Sequence, residues 1–167
     1  MKIYPDVLNE KLYGELVSFF ESNSPEVRYF SNQYNWNDSL LQGMIGTCLC
    51  VDVNDYVKSL ILEDINHLLP EYDKIEMLFY RWGKQSGINW HTDAPVLFAG
   101  TIYLNRQWSK RDGGILLWEE ESEIRGYSPE ANTLMLNTEN QNHMVTPIHY
   151  DASQPRYTIQ LFGTCLN

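Results

Sequence analysis

The sequence predicts an α+β chain in which helices pack on a β-sandwich or jelly roll. Helical periodicity is confined to the part before Pro70, and a period-two pattern takes over after it. The later segments are short, rich in β-branched and aromatic residues, and separated by polar or Gly/Pro clusters. A chain of 167 residues suits one domain with a real core and is too short for two comfortable ones. Residues 1–70 are therefore expected to be mainly helical support and residues 71–167 the strand-rich core.

The first helix is read from "LNEKLYGELVSFFES". Leu8, Leu12, Leu16, Phe19 and Phe20 fall on one face, and Asn9 can cap the start. The stretch that follows, residues 28–47, is rich in Asn, Ser, Tyr and Gly. It reads as loop or short strands, and residues 28–46 are a candidate lid. A second helix begins near Asn54 and ends at Pro70, with Val57, Leu60, Ile61, Ile65 and Leu68 on one face. His67 on this helix is a surface or boundary residue. The strands begin with "KIEMLFYRW", where Ile75, Met77 and Phe79 alternate with Glu76, Leu78 and Tyr80. They continue through "VLFAGTIYLN", "GGILLWEE", "NTLMLNT", "HMVTPIHY" and "RYTIQLFG".

Composition narrows the function classes. Hydrophobic residues make up 43% and aromatics 13%, which is a globular composition. No apolar run approaches the roughly 18 residues of a membrane helix, so no membrane association is expected. Asp6, Glu10 and Glu15 interrupt any signal-peptide stretch, and a soluble cytoplasmic protein is expected. The net charge of -10 argues against nucleic acid as a partner, since a basic face supplies most of that affinity. Cys48, Cys50 and Cys165 are an odd count with one C-x-C, which makes neither a disulfide framework nor a zinc ribbon. Buried free thiols without a metal role are expected.

The stretch that invites chemistry is "INWHTDAPV". In an extended segment His91 and Asp93 share a face. Adjacent donors on an octahedral ion lie about 3 Å apart, a gap these side chains can close. Alone, H-x-D is a weak signal. A late histidine, His143 or His149 in "NQNHMVTPIHY", can complete two histidines and one carboxylate. That set covers one face of an octahedron and leaves three positions open, the arrangement of non-heme Fe(II) oxygenases. Arg156 in "PRYTIQLFG" alternates with Thr158 and Gln160 on a polar face. Either solvent or a polar cavity accounts for it, and in a cavity its fork suits a small dicarboxylate. Trp90, Trp118 and Asn105 are candidates for core or substrate wall, with core favoured for Trp118.

From Tyr80 onward the runs "HTD", "IYLNRQWSKRDGGILLW", "SPEANTLML", "HMVTPI" and "RYTIQLF" follow one another over about half the chain. In these the chain resembles 2-oxoglutarate/Fe(II)-dependent dioxygenases of the prolyl 4-hydroxylase type, most of all the hypoxia-inducible-factor and ribosomal-protein prolyl hydroxylases. The resemblance implies a double-stranded β-helix (jelly roll) core with the N-terminal helices packed on one sheet. It implies an iron triad of His91, Asp93 and His143, with "HMVTP" matching the third-ligand motif and His149 as the fallback. Arg156 would pair with the distal carboxylate of 2-oxoglutarate, Tyr103 would hydrogen-bond to it, and Tyr80 would lie beside it. Fe(II), 2-oxoglutarate and O2 are the implied cofactor and co-substrates, with ascorbate (vitamin C) as reductant. The implied substrate is a prolyl residue of a peptide or protein. A free amino acid or small metabolite is the alternative, and a non-catalytic jelly-roll binding module a distant one. The chain departs from the pattern in a long interval between His143 and Arg156, in Phe162 where tryptophan is common, and in Asn132 where glycine is common.

Overall fold

The computed structural model describes residues 1–22, 30–31 and 38–165. Its elements run β1 (Lys2–Tyr4), α1 (Glu10–Ser22), β2 (Phe30–Ser31), α2 (Asp38–Gly43), β3 (Met44–Ile45), β4 (Cys48–Asp52), α3 (Asp55–Ile65), β5 (Lys74–Trp82), β6 (Gly87–His91), β7 (Phe98–Tyr103), β8 (Leu116–Glu120), β9 (Glu123–Tyr127), β10 (Leu134–Asn137), β11 (His143–Val145) and β12 (Arg156–Thr164). No helix among the described residues is long and apolar enough to cross a membrane.

Two antiparallel sheets face each other. The larger has the order β1-β10-β7-β12-β5-β4-β2 and the smaller β3-β6-β11-β8-β9. Leu78, Tyr80, Trp82 and Met135 from the first meet Ile88, Leu116, Trp118 and Val145 from the second in the layer between them. The opposite face of the larger sheet packs Met77, Phe79, Ile102, Ile159 and Leu161 against α1 and α3. This is the jelly-roll core with helices on one sheet that the sequence predicts.

The first long helix starts at the cap read from the sequence, and the second, expected to begin near Asn54, is capped by that residue. Asn9 Oδ1 accepts from the Leu12 N–H at 3.0 Å, and Asn54 Oδ1 from the Val57 N–H at 2.9 Å. Two details differ from expectation. Phe19 is 39% exposed, so the buried face of α1 is Leu12, Tyr13, Leu16, Val17 and Phe20 without it. The second helix is α-helical only to Ile65, and a 3₁₀ turn over Asn66–Leu68 carries it towards Pro70. His67 on that turn is exposed.

β5 matches the sequence reading in its bounds but not in its environment. Met77, Leu78, Phe79 and Tyr80 are all buried, because helices cover one face of its sheet and the smaller sheet covers the other. Cys48 and Cys50 are buried free thiols on β4, whereas Cys165 is exposed, contrary to expectation. The proposed lid at residues 28–46 lies partly outside the described residues. Within it stand β2, α2 and β3.

Asn132 has a structural reason to stand where glycine is common. Its φ of 54° lies in the left-handed region that asparagine and glycine tolerate. Its side chain then ties the turn before β10 to the segment entering α1. Oδ1 accepts from the Leu8 N–H at 3.0 Å, and Nδ2 donates to the Leu8 carbonyl at 2.8 Å. Asn132→Gly should cost about 2 kcal/mol, from the two lost hydrogen bonds. Asn132→Ala should cost about 3 kcal/mol, because alanine also resists the positive φ. Urea unfolding of the two variants checks both the size and the order.

Candidate active site

β6 and β11 are neighbours in the smaller sheet, and their register sets His91 directly across from His143. The register shifts between His143 and Val145, so the strand ladder is irregular just where the site begins. Asp93 follows two residues after His91, past the end of β6. The ring centroids of the two histidines are 4.3 Å apart. Asp93 Oδ1 lies 3.9 Å from His91 Nε2, and Asp93 Oδ2 lies 3.4 Å from His143 Nε2. One donor atom from each of the three residues falls within 4.8 Å of the others.

Both imidazoles are oriented from behind. His91 Nδ1–H donates to the Asn89 carbonyl at 2.7 Å, and His143 Nδ1–H donates to the Gln141 carbonyl at 2.9 Å. A carbonyl only accepts, so each Nδ1 carries a proton and each Nε2, facing Asp93, is the nitrogen left to bind a metal. Burial holds His91 below the usual imidazole range. The neighbouring His143 pushes it the same way, while the Asn89 carbonyl and Asp93 oppose. A neutral imidazole is the form that binds a metal. Two imidazole nitrogens and a carboxylate within 4.8 Å of one another suit a divalent ion such as Fe(II).

These three residues line a cavity of about 320 Å³ between the sheets, with Tyr80, Arg156 and Gln160 on its other wall. Arg156 resolves the choice left open by the sequence. It is 1% exposed, so its polar face is a cavity face and not a solvent face. Its guanidinium lies 5.1 Å from the Tyr103 ring centre and 5.8 Å from the Trp82 ring. No ion pair among the described residues includes it. Arg156 Nε and Nη1, Tyr103 Oη and Thr158 Oγ1 are all buried without a hydrogen-bond partner. Unpaired buried charge is costly, and a small anion in the cavity would relieve it. The Arg156 fork fits the distal carboxylate of 2-oxoglutarate.

Tyr103 does not itself line the cavity, and its ring backs the guanidinium. Burial pushes its phenol up, with Arg156 acting the other way. Tyr80 lines the cavity, and alternation turns Arg81 to the opposite face. His149 is exposed, and its Nδ1 accepts from the Asp151 N–H at 3.2 Å, away from the group. Trp118 belongs to the layer between the sheets. Trp90 is half-buried and is not a cavity residue. Asn105 is structural: its Oδ1 accepts from the Tyr157 N–H at 2.7 Å and its Nδ2 donates to the Pro155 carbonyl at 2.9 Å, which fixes the entry to β12.

Trp82 was not singled out from the sequence, although its place two residues after Tyr80 on the same strand face is the signal that finds it. The role of Gly114 was not legible at all. Its φ is +63°, and a Cβ there would sit 3.1 Å from Arg156 Cδ and 3.3 Å from both Trp108 Cζ2 and Ile148 Cγ1. The second glycine of "GG" is thus the space through which the arginine reaches the cavity.

Residues 76–163, more than half of the chain, match the model of the 2OG-Fe(II) oxygenase superfamily. The chain belongs to that superfamily. The 2OG-Fe(II) oxygenase fold extends to solved structures that cover nearly all of it. A Pseudomonas putida prolyl-4-hydroxylase matches with a TM-score of 0.72 at 14% identity, covering 99% of this chain and 92% of the other. A Trichoplax adhaerens prolyl hydroxylase, solved with a hypoxia-inducible-factor peptide fragment, gives 0.75 at 19%, covering 98% and 82%. A viral collagen prolyl hydroxylase from Paramecium bursaria Chlorella virus-1 gives 0.64 at 11%, covering 99% and 96%. No curated protein sequence matches significantly. As a 2OG-Fe(II) oxygenase the protein is a dioxygenase that uses Fe(II), 2-oxoglutarate and O2.

His143→Ala should lose Fe(II) by more than the roughly 10–100-fold that removal of an outer-shell partner costs, while His149→Ala should bind as wild type does. Anaerobic metal titration of the two variants measures this. Loss of iron in His149→Ala alone would reassign the third ligand.

Proposed function

We propose that the protein is an Fe(II)- and 2-oxoglutarate-dependent hydroxylase of prolyl residues in a peptide or protein. One observation carries the co-substrate assignment: a buried, uncompensated Arg156 shares a cavity with a His-Asp-His group. The prolyl assignment is supported by a fold shared with prolyl hydroxylases of bacterial, animal and viral origin. A free amino acid or small metabolite is the second reading. The modest cavity of about 320 Å³ favours it, since little room remains once a co-substrate is bound.

In this reading His91, Asp93 and His143 would hold Fe(II), the ion through which 2-oxoglutarate and O2 are used. When bound, these supply the oxidation of a substrate C–H bond to C–OH, with release of succinate and CO2. The protein's own work is positioning and exclusion of water. Asn89 and Gln141 keep the imidazole rings turned to the metal through their carbonyls. Arg156 would receive the distal carboxylate of the co-substrate, with the Tyr103 ring behind the guanidinium and Tyr80 lying alongside. Phe162 and Val96 contribute apolar wall to the same cavity. No residue is required to act as a general base. Ascorbate is the proposed reductant that keeps the iron ferrous.

The test is succinate release with Fe(II), ascorbate and 2-oxoglutarate over a panel of prolyl peptides and free amino acids, with mass spectrometry for the gain of one oxygen. Turnover absent from a His91→Ala control supports the oxygenase reading, and the responding compounds decide between the two substrates. Arg156→Leu should raise the KM for 2-oxoglutarate about 100-fold, the loss of a charged hydrogen-bonding partner. The same variant should unfold at a temperature no lower than wild type, because it removes an uncompensated buried charge. A marked fall in stability would mean that Arg156 serves the fold.

A further inference from the structure

β12 carries Arg156, Thr158, Gln160, Phe162 and Thr164 on one face, and burial declines along it. Arg156 and Thr158 are 1% and 0% exposed, whereas Gln160, Phe162 and Thr164 are half-buried. Gln160 is thus the first side chain on this face beyond the sealed end of the cavity. It pairs in register with Thr101 on β7, and both line the cavity. Thr101 Oγ1 donates to Gln160 Oε1 at 2.8 Å, which fixes the amide plane. The Gln160 amide nitrogen has no partner among the described residues.

Its position separates it from the co-substrate. Four residues of strand from Arg156 to Gln160 rise about 13 Å. A five-carbon dicarboxylate seated on Arg156 spans only about 5–6 Å. Along the strand, Gln160 therefore lies further from Arg156 than such a molecule is long, at the less buried part of the face. Its free donor is neutral, which suits an uncharged carbonyl, whereas a carboxylate is held best by a cation. Lys74, a cation on the same wall, is already paired with Glu76 at 2.6 Å.

We infer that Gln160, held by Thr101, donates its amide N–H to the carbonyl oxygen of a peptide bond in the substrate, and so selects a peptide over a free amino acid. This rests on the prolyl-peptide reading above. Thr101 acts as a positioning residue, since its hydroxyl aims the amide.

The experiment compares wild type, Gln160→Glu, Gln160→Ala and Thr101→Val as Fe(II)-loaded proteins. Anaerobic titration with 2-oxoglutarate, followed by the visible absorption that Fe(II) gains when a 2-oxo acid chelates it, reports co-substrate affinity and proper folding. Succinate release with N-acetylated, C-terminally amidated prolyl tripeptides gives the peptide KM, and free proline is the comparison arm. Both Gln160 variants should raise the peptide KM about tenfold and keep 2-oxoglutarate affinity within about twofold of wild type. Thr101→Val should raise the peptide KM about threefold. Two results would overturn the inference: a fall in 2-oxoglutarate affinity in the Gln160 variants, which makes Gln160 a co-substrate residue, or a peptide KM equal to that of wild type. If free proline alone stimulates the wild type, the peptide reading has failed and this inference with it. If peptides stimulate wild type and variants alike, only this inference has failed.

Discussion

β12 runs between β5 and β7, and its register on both sides fixes everything that faces the cavity. Thr158 sits between Tyr80 and Tyr103, and Gln160 between Leu78 and Thr101. Strand side chains alternate, so a one-residue slip would turn Arg156, Thr158 and Gln160 to the helices and Tyr157, Ile159 and Leu161 into the cavity. What prevents the slip is the apolar set. Ile159 and Leu161 are fully buried among residues of α1, α3 and neighbouring strands, and Phe20 of α1 stacks on Tyr157 at 4.9 Å between ring centres. The N-terminal helices thus have a consequence for chemistry although they contribute none of the chemical groups. They give β12 one apolar face to bury, which leaves its polar face no place but the cavity.

The cavity end that receives Arg156 is built against its own stability. Arg156, Thr158 and Tyr103 all leave buried polar atoms without partners. Such clusters are tolerated where a ligand completes them. The opposite wall is different. His91 and His143 are each hydrogen-bonded from behind, and Asp93 stands between their Nε2 atoms. One wall is thus oriented in advance for a cation and the other left open for an anion, and they come from different sheets. The sandwich is what brings them within one small molecule's reach.

Much of this was legible in the sequence, for reasons that are local. The helix cap at Asn9, the start of α3 near Asn54, the bounds of β5, the start of β12, and the pairing of His91 with Asp93 follow from spacing and residue type alone. Other features were hidden because a neighbour distant in sequence decides them. β9 was missed because "EIRGY" is exposed along nearly its whole length and has no apolar alternation. It is held as an edge strand by β8, with Arg125 bridging Glu120 and Glu123. β4 was missed because "CLCVD" is short, and pairing with β5 defines it. Whether Arg156 met solvent or a cavity could not be read from β12 itself, because the smaller sheet is what closes over it. Gly114 carries no chemical signal of its own, and only the course of the arginine gives it meaning.

The account stands most directly on where the metal and the co-substrate bind. A crystal structure grown without oxygen in the presence of Fe(II) and 2-oxoglutarate, with anomalous scattering recorded at the iron edge, measures both at once. The account predicts one iron peak between His91 Nε2, His143 Nε2 and the Asp93 carboxylate, and the distal carboxylate of 2-oxoglutarate on the Arg156 guanidinium. Iron bound at His149, or a co-substrate seated away from Arg156, would contradict it.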